Sequence, residues 1–445
     1  MDLGLSMCDL CMTQDIYNTR INERLQKLKS DIRIGGKLVK NTLFGATHHV
    51  ATYVIFTDGK IINALNVATG IVDASGVDAA KVIQSTIDAL ATTGGRILIK
   101  NGLYWINSAI SISNMSVEIE GESLGYRTRY RVLGHQTDPT YYGTWLFANS
   151  PDETPIFKLS GEKFFASLSN LVLEGKSSQR SLIQVDGFND VTINHCFLYR
   201  FKNAIDVIGS SHILRIHDNW IEVGARGLNV AGGEHDLMLV SRNYFLGSKE
   251  SPLCAGIWIG RDLASLIELV IANNVFRTNY HGIRIEKGRD VTICGNTICD
   301  GVYGVRLLDV SNIPIVANTF RSLTNGVSEE SGAGRNVLVG NTFSEVTDPI
   351  HFRVATSQYT TNVGIDPRDP EAIAVGSSPF AYQNVDGSSE EVIVSGGTVS
   401  DLSWSRDGNV YYATGLNAGK FHLESLEYLR VTYSSAPTMT RVPSP

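Results

Sequence analysis

Long apolar runs are missing from this chain: no stretch approaches the roughly 18 residues of a membrane span. The N-terminus also lacks a basic segment followed by an apolar one, so a cleavable signal peptide is not expected. Excess positive charge is absent as well. The formal net charge of −7 does not favour a nucleic-acid partner through bulk electrostatics. Cysteine is scarce, with six in 445 residues. Cys8 and Cys11 form a CxxC with no second pair or histidine pair nearby, so free thiols are expected there rather than a zinc site, and no metal or other cofactor is implied.

What is present is a repeat. Asn219, Asn243, Asn274, Asn296, Asn318 and Asn341 follow one another at gaps of 24, 31, 22, 22 and 23 residues. Two positions after each stands Ile221, Phe245, Phe276, Ile298, Phe320 or Phe343, and a second short strand follows, as at Gly227–Val230, Gly282–Ile285 and Gly304–Leu307. This is a solenoid period. Two short alternating strands per repeat cannot enclose a core alone but can stack as coils, so the spacing predicts an all-β, right-handed, single-stranded parallel β-helix. Asparagine at one corner of each coil can donate to one neighbouring coil and accept from the other. Leucine-rich repeats share the period, but their leucine pattern is missing. Cys196 takes the asparagine position one coil earlier, and 167–173 and 115–121 read as less regular coils. Cys196, Cys254, Cys294 and Cys299 share no column in adjacent coils, which argues against a disulfide framework.

Residues 1–33 include a helix at 14–30 with Ile21, Leu25 and Leu28 on one stripe, suited to attachment or oligomerisation. Residues 34–72 read as a β-rich lead-in, 73–365 as the β-helix, and 376–445 as a small β-sandwich-like module after the Pro367 and Pro370 linker. The stretch 73–90 reads as an amphipathic helix with Val82, Ile83, Ile87 and Leu90 inward and Asp78 as its cap. Laid across the open end of a β-helix, it would hide core and strand edges.

Asp73, Gly76, Asp78, Ala79, Ala80, Ile83, Gln84, Ile87 and Asp88, followed by Gly94, Gly95, Ile97, Ile99, Gly102 and Tyr104, resemble the N-terminal cap and first coil of pectate-lyase-superfamily proteins, a group that includes phage tailspikes and polysaccharide depolymerases. The resemblance spans about 73–355. It implies the fold and a glycan partner. It carries no catalytic residues over: the Arg-x-Pro-x-x-Arg of pectate lyases and the Gly-His-Gly and Asp-Asp elements of polygalacturonases are missing, and His281-Gly282-Ile283-Arg284 is only a superficial echo.

Aligning the coils puts Asp206, Asn229, Trp258, Arg284, Arg306, Ser328 and His351 in one outward column. An aromatic ring flanked by guanidinium and amide groups suits a sugar chain. The asparagine spacing stretches to 31 because 246–255 and 260–267 add length on both sides of Trp258, which would wall a groove, with Asp262 in the second loop. A second candidate surface is 122–145, rich in Tyr and Arg and including Tyr130 and Tyr142; it suits a glycan or a subunit interface equally.

Glycosidases need two carboxylates, about 5 Å apart for retention or about 6.5–9.5 Å for inversion. Column counting offers Asp309 with Glu330 in adjacent coils and Glu286 with Glu329 two coils apart; a solvated charge is the blander reading of each. A lyase would instead use an arginine base, for which Arg284 and Arg306 qualify.

Three functions are therefore expected to compete. One is a virion-surface, tailspike-like or fibre-like homotrimer binding, and in some cases degrading, host polysaccharide, attached through its N-terminal helix and located at the virion surface or outside the cell. The others are a stand-alone polysaccharide lyase or hydrolase, and a structural filament or surface-layer component.

Overall fold

The computed structural model describes residues 51–443 except 114, 125–142, 152, 162–164, 177–179, 261, 263–264, 331, 353–356, 366–369 and 387–388. The helix expected at 14–30, Cys8, Cys11, Tyr130 and Tyr142 lie outside these residues.

Each coil carries three strands, not the two expected. In one coil these are Asp190–Asn194, Phe197–Tyr199 and Asn203–Val207; in the next, Ile213–His217, Trp220–Glu222 and Arg226–Val230. The middle strand is only three residues long, too short to show an alternation in sequence. All three pair in parallel with their counterparts one coil away, and about ten turns build a right-handed parallel β-helix. Inward residues such as Ile193, Leu198 and Ile205 are fully buried. No coil buries an apolar face alone, so stacking supplies the core.

The asparagine corner is the most regular feature. Asn274 Nδ2 donates to Val240 O and to Asn296 Oδ1, while Asn274 Oδ1 accepts from the backbone N and Nδ2 of Asn243, all within 2.9–3.0 Å. The same pattern runs from Asn219 to Asn341 and on to Asn362. Cys196 begins the column, donating its backbone N to Asn219 Oδ1 at 2.9 Å; burial pushes its thiol up to about 12. The residue before each asparagine turns the corner in the left-handed region, with φ of 59° at Asp218, 55° at Arg242 and 54° at Ala317. Among the described residues Cys196, Cys254 and Cys299 are free thiols outside any disulfide.

A second column explains the glycines. Gly227, Gly256, Gly282, Gly304 and Gly326 occupy equivalent positions, and a Cβ on any of them would lie 2.4–2.6 Å from the side chain of Phe245, Phe276, Ile298, Phe320 or Phe343 respectively. The rings of Phe245 and Phe276 stack at 4.8 Å and those of Phe320 and Phe343 at 4.9 Å.

The N-terminal end is closed by an α-helix, Ala79–Ala89, whose N-cap Asp78 accepts from Ala80 N and Lys81 N. The expected helix was longer; its first residues belong instead to the strand Ile71–Gly76. That strand is the outer member of an antiparallel meander with Tyr53–Thr57 and Ile62–Asn66, and Tyr53–Thr57 continues into the parallel sheet of the coils.

Residues from Glu371 onward form two four-stranded antiparallel sheets around Val392, Val394, Leu402, Leu429 and Val431. Among the described residues no helix is long and apolar enough to cross a membrane.

Candidate functional site

The outward column is built as the spacing predicts. Asp206 pairs with Asn229, Asn229 with Trp258, Trp258 with Arg284, Arg284 with Arg306, Arg306 with Ser328 and Ser328 with His351. Successive side chains on this face sit about 4.8 Å apart.

Trp258 does not present an open ring. The guanidinium carbons of Arg226 and Arg284, from the coils on either side, lie 4.1 and 4.0 Å from its ring centre, and the residue is only 8% exposed. Desolvated cation–π pairs of this kind favour a fixed side-chain geometry. Arg226 Nη1 also donates to Asn229 Oδ1, and Asn229 Nδ2 to the buried Asp206 Oδ1, both at 2.6 Å. On the other side Arg284 donates to Glu286 Oε1, its Nε at 2.8 Å. One coil further, Arg306 pairs with Glu330 at 3.1 Å and lies 4.9 Å from the ring centre of Tyr303.

Beneath Arg284 lies His281, fully buried, with Nε2 3.3 Å from Arg284 Nη1 and its ring 5.1 Å from that of Tyr303. Burial first, then the charges of Arg284 and Arg306, hold this imidazole down at about 3. It is therefore neutral across the physiological range and acts as a packing and hydrogen-bonding base for Arg284. The face as a whole is a fixed row of guanidinium and carboxylate groups, partly exposed, suited to hydrogen-bonding hydroxyls.

The carboxylate pairs expected from column counting are rearranged. Asp309 does not share a column with Glu330: it pairs with Lys287 and is exposed. Glu286 does not align with Glu329. The strand Tyr303–Val310 runs against Thr319–Glu329 without a bulge, Leu307 opposite Glu329, which turns Glu329 inward. A one-residue slip in a strand exchanges its faces. Glu329 is fully buried, accepts from Asn336 Nδ2 and Ser357 Oγ at 2.6 Å, and has its carboxyl raised by burial. By the same register Glu286 aligns with Glu330, two rungs apart with Leu308 between.

The lengthening around Trp258 is real but uneven. Eight residues, 247–254, separate Tyr244–Leu246 from Ala255–Ile259, where three separate Trp220–Glu222 from Arg226–Val230 in the coil before. On the far side 260–264 is the connection; 265–267 belong to the strand Ser265–Ala272 and not to a loop. Asp262 is an exposed turn residue there.

Two groupings escape column counting. Arg226 stands one corner earlier, in line with Ala255, His281 and Tyr303, and the signal that finds it is its position three residues before Asn229, as His281 stands before Arg284. The other lies on the middle strands, where Glu174 and Glu222 flank Tyr199; Arg200 binds Glu174 at 3.2 Å, and burial raises the Glu222 carboxyl. Among the described residues no group of three or more His, Cys, Asp or Glu side chains is placed to hold a metal ion.

Residues 167–363 match the family model described as periplasmic copper-binding protein (NosD), which is less than half of the chain. No curated protein sequence matches the chain. Among solved structures, similarity extends to the Dettilon tailspike protein, at 12% identity and TM-score 0.47 over 82% of this chain and 90% of that one. The tailspike protein of Acinetobacter baumannii phage AM24 aligns at 11% and 0.45, covering 83% and 81%. A mannuronan C-5 epimerase A-module from Azotobacter vinelandii aligns at 16% and 0.38, covering 65% and 96%.

Proposed function

We propose that this chain binds polysaccharide along its lateral column, as a tailspike-like or fibre-like component of a virion surface that works as a homotrimer, attached through its N-terminal segment. The observation that carries the reading is the ordered row Arg226, Trp258, Arg284, Glu286, Arg306 and Glu330. Its charged groups are held by each other and by aromatic rings, so they meet a ligand with little rotamer entropy left to lose. The sugar partners in this reading are hydroxyls and acidic groups bound by guanidinium and carboxylate, not a ring face stacked on Trp258, whose faces the arginines occupy. Sedimentation equilibrium tests the assembly: a trimer supports it, and a monomer at micromolar concentration contradicts it.

Cleavage is a second reading, favoured by one observation. Glu286 and Glu330 share a column two rungs apart, about 9.6 Å from rung spacing and close to the inverting range. The expected outcome is new reducing ends from a bound polysaccharide, lost in both Glu286→Gln and Glu330→Gln even at polymer concentrations that saturate each variant. Unchanged product formation in either variant contradicts it.

A further inference from the structure

Beside the column, at the corner that precedes its strands, lies an open cleft of about 370 Å³. Its cations come from three successive coils: Arg180, Lys202 and Arg226. Asn203 stands between them, Leu253 from the long connection 247–254 forms one edge, and Glu153 stands at the margin. Backbone bonds fix the stacking, with Asn203 N donating to Arg180 O and Arg226 N to Lys202 O, each at 2.8 Å.

The charges do not balance. Glu153 binds Arg180 at 3.3 Å, but both side chains are more than half exposed, so the pair adds little stability. Neither Lys202 nor Arg226 has a carboxylate within ion-pair distance among the described residues. Arg226 is further committed to Trp258 and Asn229. Arg226 lies in the field of the Asp206 and Glu286 carboxylates, which offset part of its charge, so Lys202 is the cation of this cleft with no carboxylate partner among the described residues. Leu253, 59% exposed at the rim, is an apolar surface that no described residue covers. Cations on one side and an aliphatic edge on the other match a sugar that carries an anionic substituent, and the volume lies in the range of small-molecule sites.

We propose that this cleft holds an acidic sugar residue, its carboxylate, sulfate or phosphate on Arg180 and Lys202 and its ring against Leu253. Arg226 joins the cleft to the lateral column, so the inference rests on the polysaccharide-binding reading and deepens it by naming the substrate class as acidic.

The test is titration of the full chain with polygalacturonate, alginate, hyaluronate and dextran sulfate, with carboxyl-reduced polygalacturonate, dextran and pullulan as neutral counterparts. At least one acidic polymer is expected to bind, with affinity falling as salt rises, and carboxyl reduction is expected to abolish uronate binding. The double variant Arg180→Ala with Lys202→Ala, both exposed, should weaken acidic binding by roughly tenfold or more and flatten the salt dependence. Lys202→Glu alone provides the same readout if the double variant folds poorly. Neutral polymers bound as tightly as acidic ones, or acidic binding unmoved by the variants, overturns the acidic cleft and leaves the polysaccharide reading standing. Tight binding of single-stranded DNA equal to that of the acidic polymers also overturns it. Retention of no polymer of either kind overturns both.

Discussion

The guanidinium carbon of Arg284 lies 4.0 Å from the centre of the Trp258 ring, one rung away on the same face of the β-helix. With Arg226 4.1 Å from the same ring centre, Trp258 becomes the post that spaces two cations, one of which, Arg284, also holds Glu286. Its replacement is therefore expected to act through the arginines. Trp258→Ala should cost about 3 kcal/mol of stability, seen as a lower thermal midpoint, and should weaken any polysaccharide binding in parallel. Trp258→Phe keeps a ring between the guanidiniums and should retain most of both. Equal losses in the two variants would contradict the spacing role.

The asparagine ladder makes a graded prediction. Asn274→Ala removes an oxygen that accepts two bonds and a nitrogen that donates two, leaving Asn243 and Val240 with buried unsatisfied groups. At about 1–3 kcal/mol for each orphaned group, a loss of at least about 3 kcal/mol is expected. Asn362→Ala, at the partly exposed end of the ladder, should cost clearly less. Thermal unfolding of the two variants, compared with the parent, decides.

The glycine column is expected to be intolerant. A Cβ at position 304 would lie 2.4 Å from Gly326 O and 2.6 Å from the Phe320 ring, so Gly304→Ala forces a backbone shift in a stacked core, at about 1–3 kcal/mol. Pairing it with Phe320→Leu, which vacates the ring position, should recover part of the loss. Absence of any recovery would place the strain on the carbonyl instead.

Much of this was legible in the sequence, for a definite reason. A β-helix keeps one residue type per corner, so Asn219 to Asn341 announce the coil, and the unbulged pairing of the third strands places Asp206 to His351 in line from spacing alone. Legibility ended where one residue mattered. Glu329 and Glu330 differ by one position and by opposite faces of the strand, and only the observed pairing of Leu307 with Glu329 tells them apart. Contacts across a corner were hidden too: nothing in the spacing says that Arg226 reaches Trp258, because side-chain reach has no period. The three-residue middle strands, and with them Glu174, Tyr199 and Glu222, were too short to leave a pattern.

Glu329 gives a pH prediction of definite sign. Burial raises its carboxyl in the folded state above the unfolded value, so the stability that goes with its protonated form is fully present below about pH 4.5 and is lost as pH rises through the folded value. Glu329→Gln keeps the acceptor for Asn336 and Ser357 without a titrating group. It should raise the thermal midpoint at pH 8 and have little effect at pH 4. His281 acts in the opposite sense. Depressed to about 3, it costs stability as pH falls from about 6.5 toward 3, at up to about 1.4 kcal/mol per unit. An equal gain from Glu329→Gln at both pH values would contradict the buried-acid assignment.

The central claim is that the lateral row from Arg226 to Glu330 binds polysaccharide. Affinity electrophoresis through gels containing individual capsular and O-antigen polysaccharides tests it most directly, run on the full chain and on the double variant Arg284→Gln with Arg306→Gln after circular dichroism has verified its fold. The expected result is retardation of the parent by at least one polymer and free migration of the variant. Identical retardation of parent and variant, or free migration of the parent through every polymer, would contradict the claim.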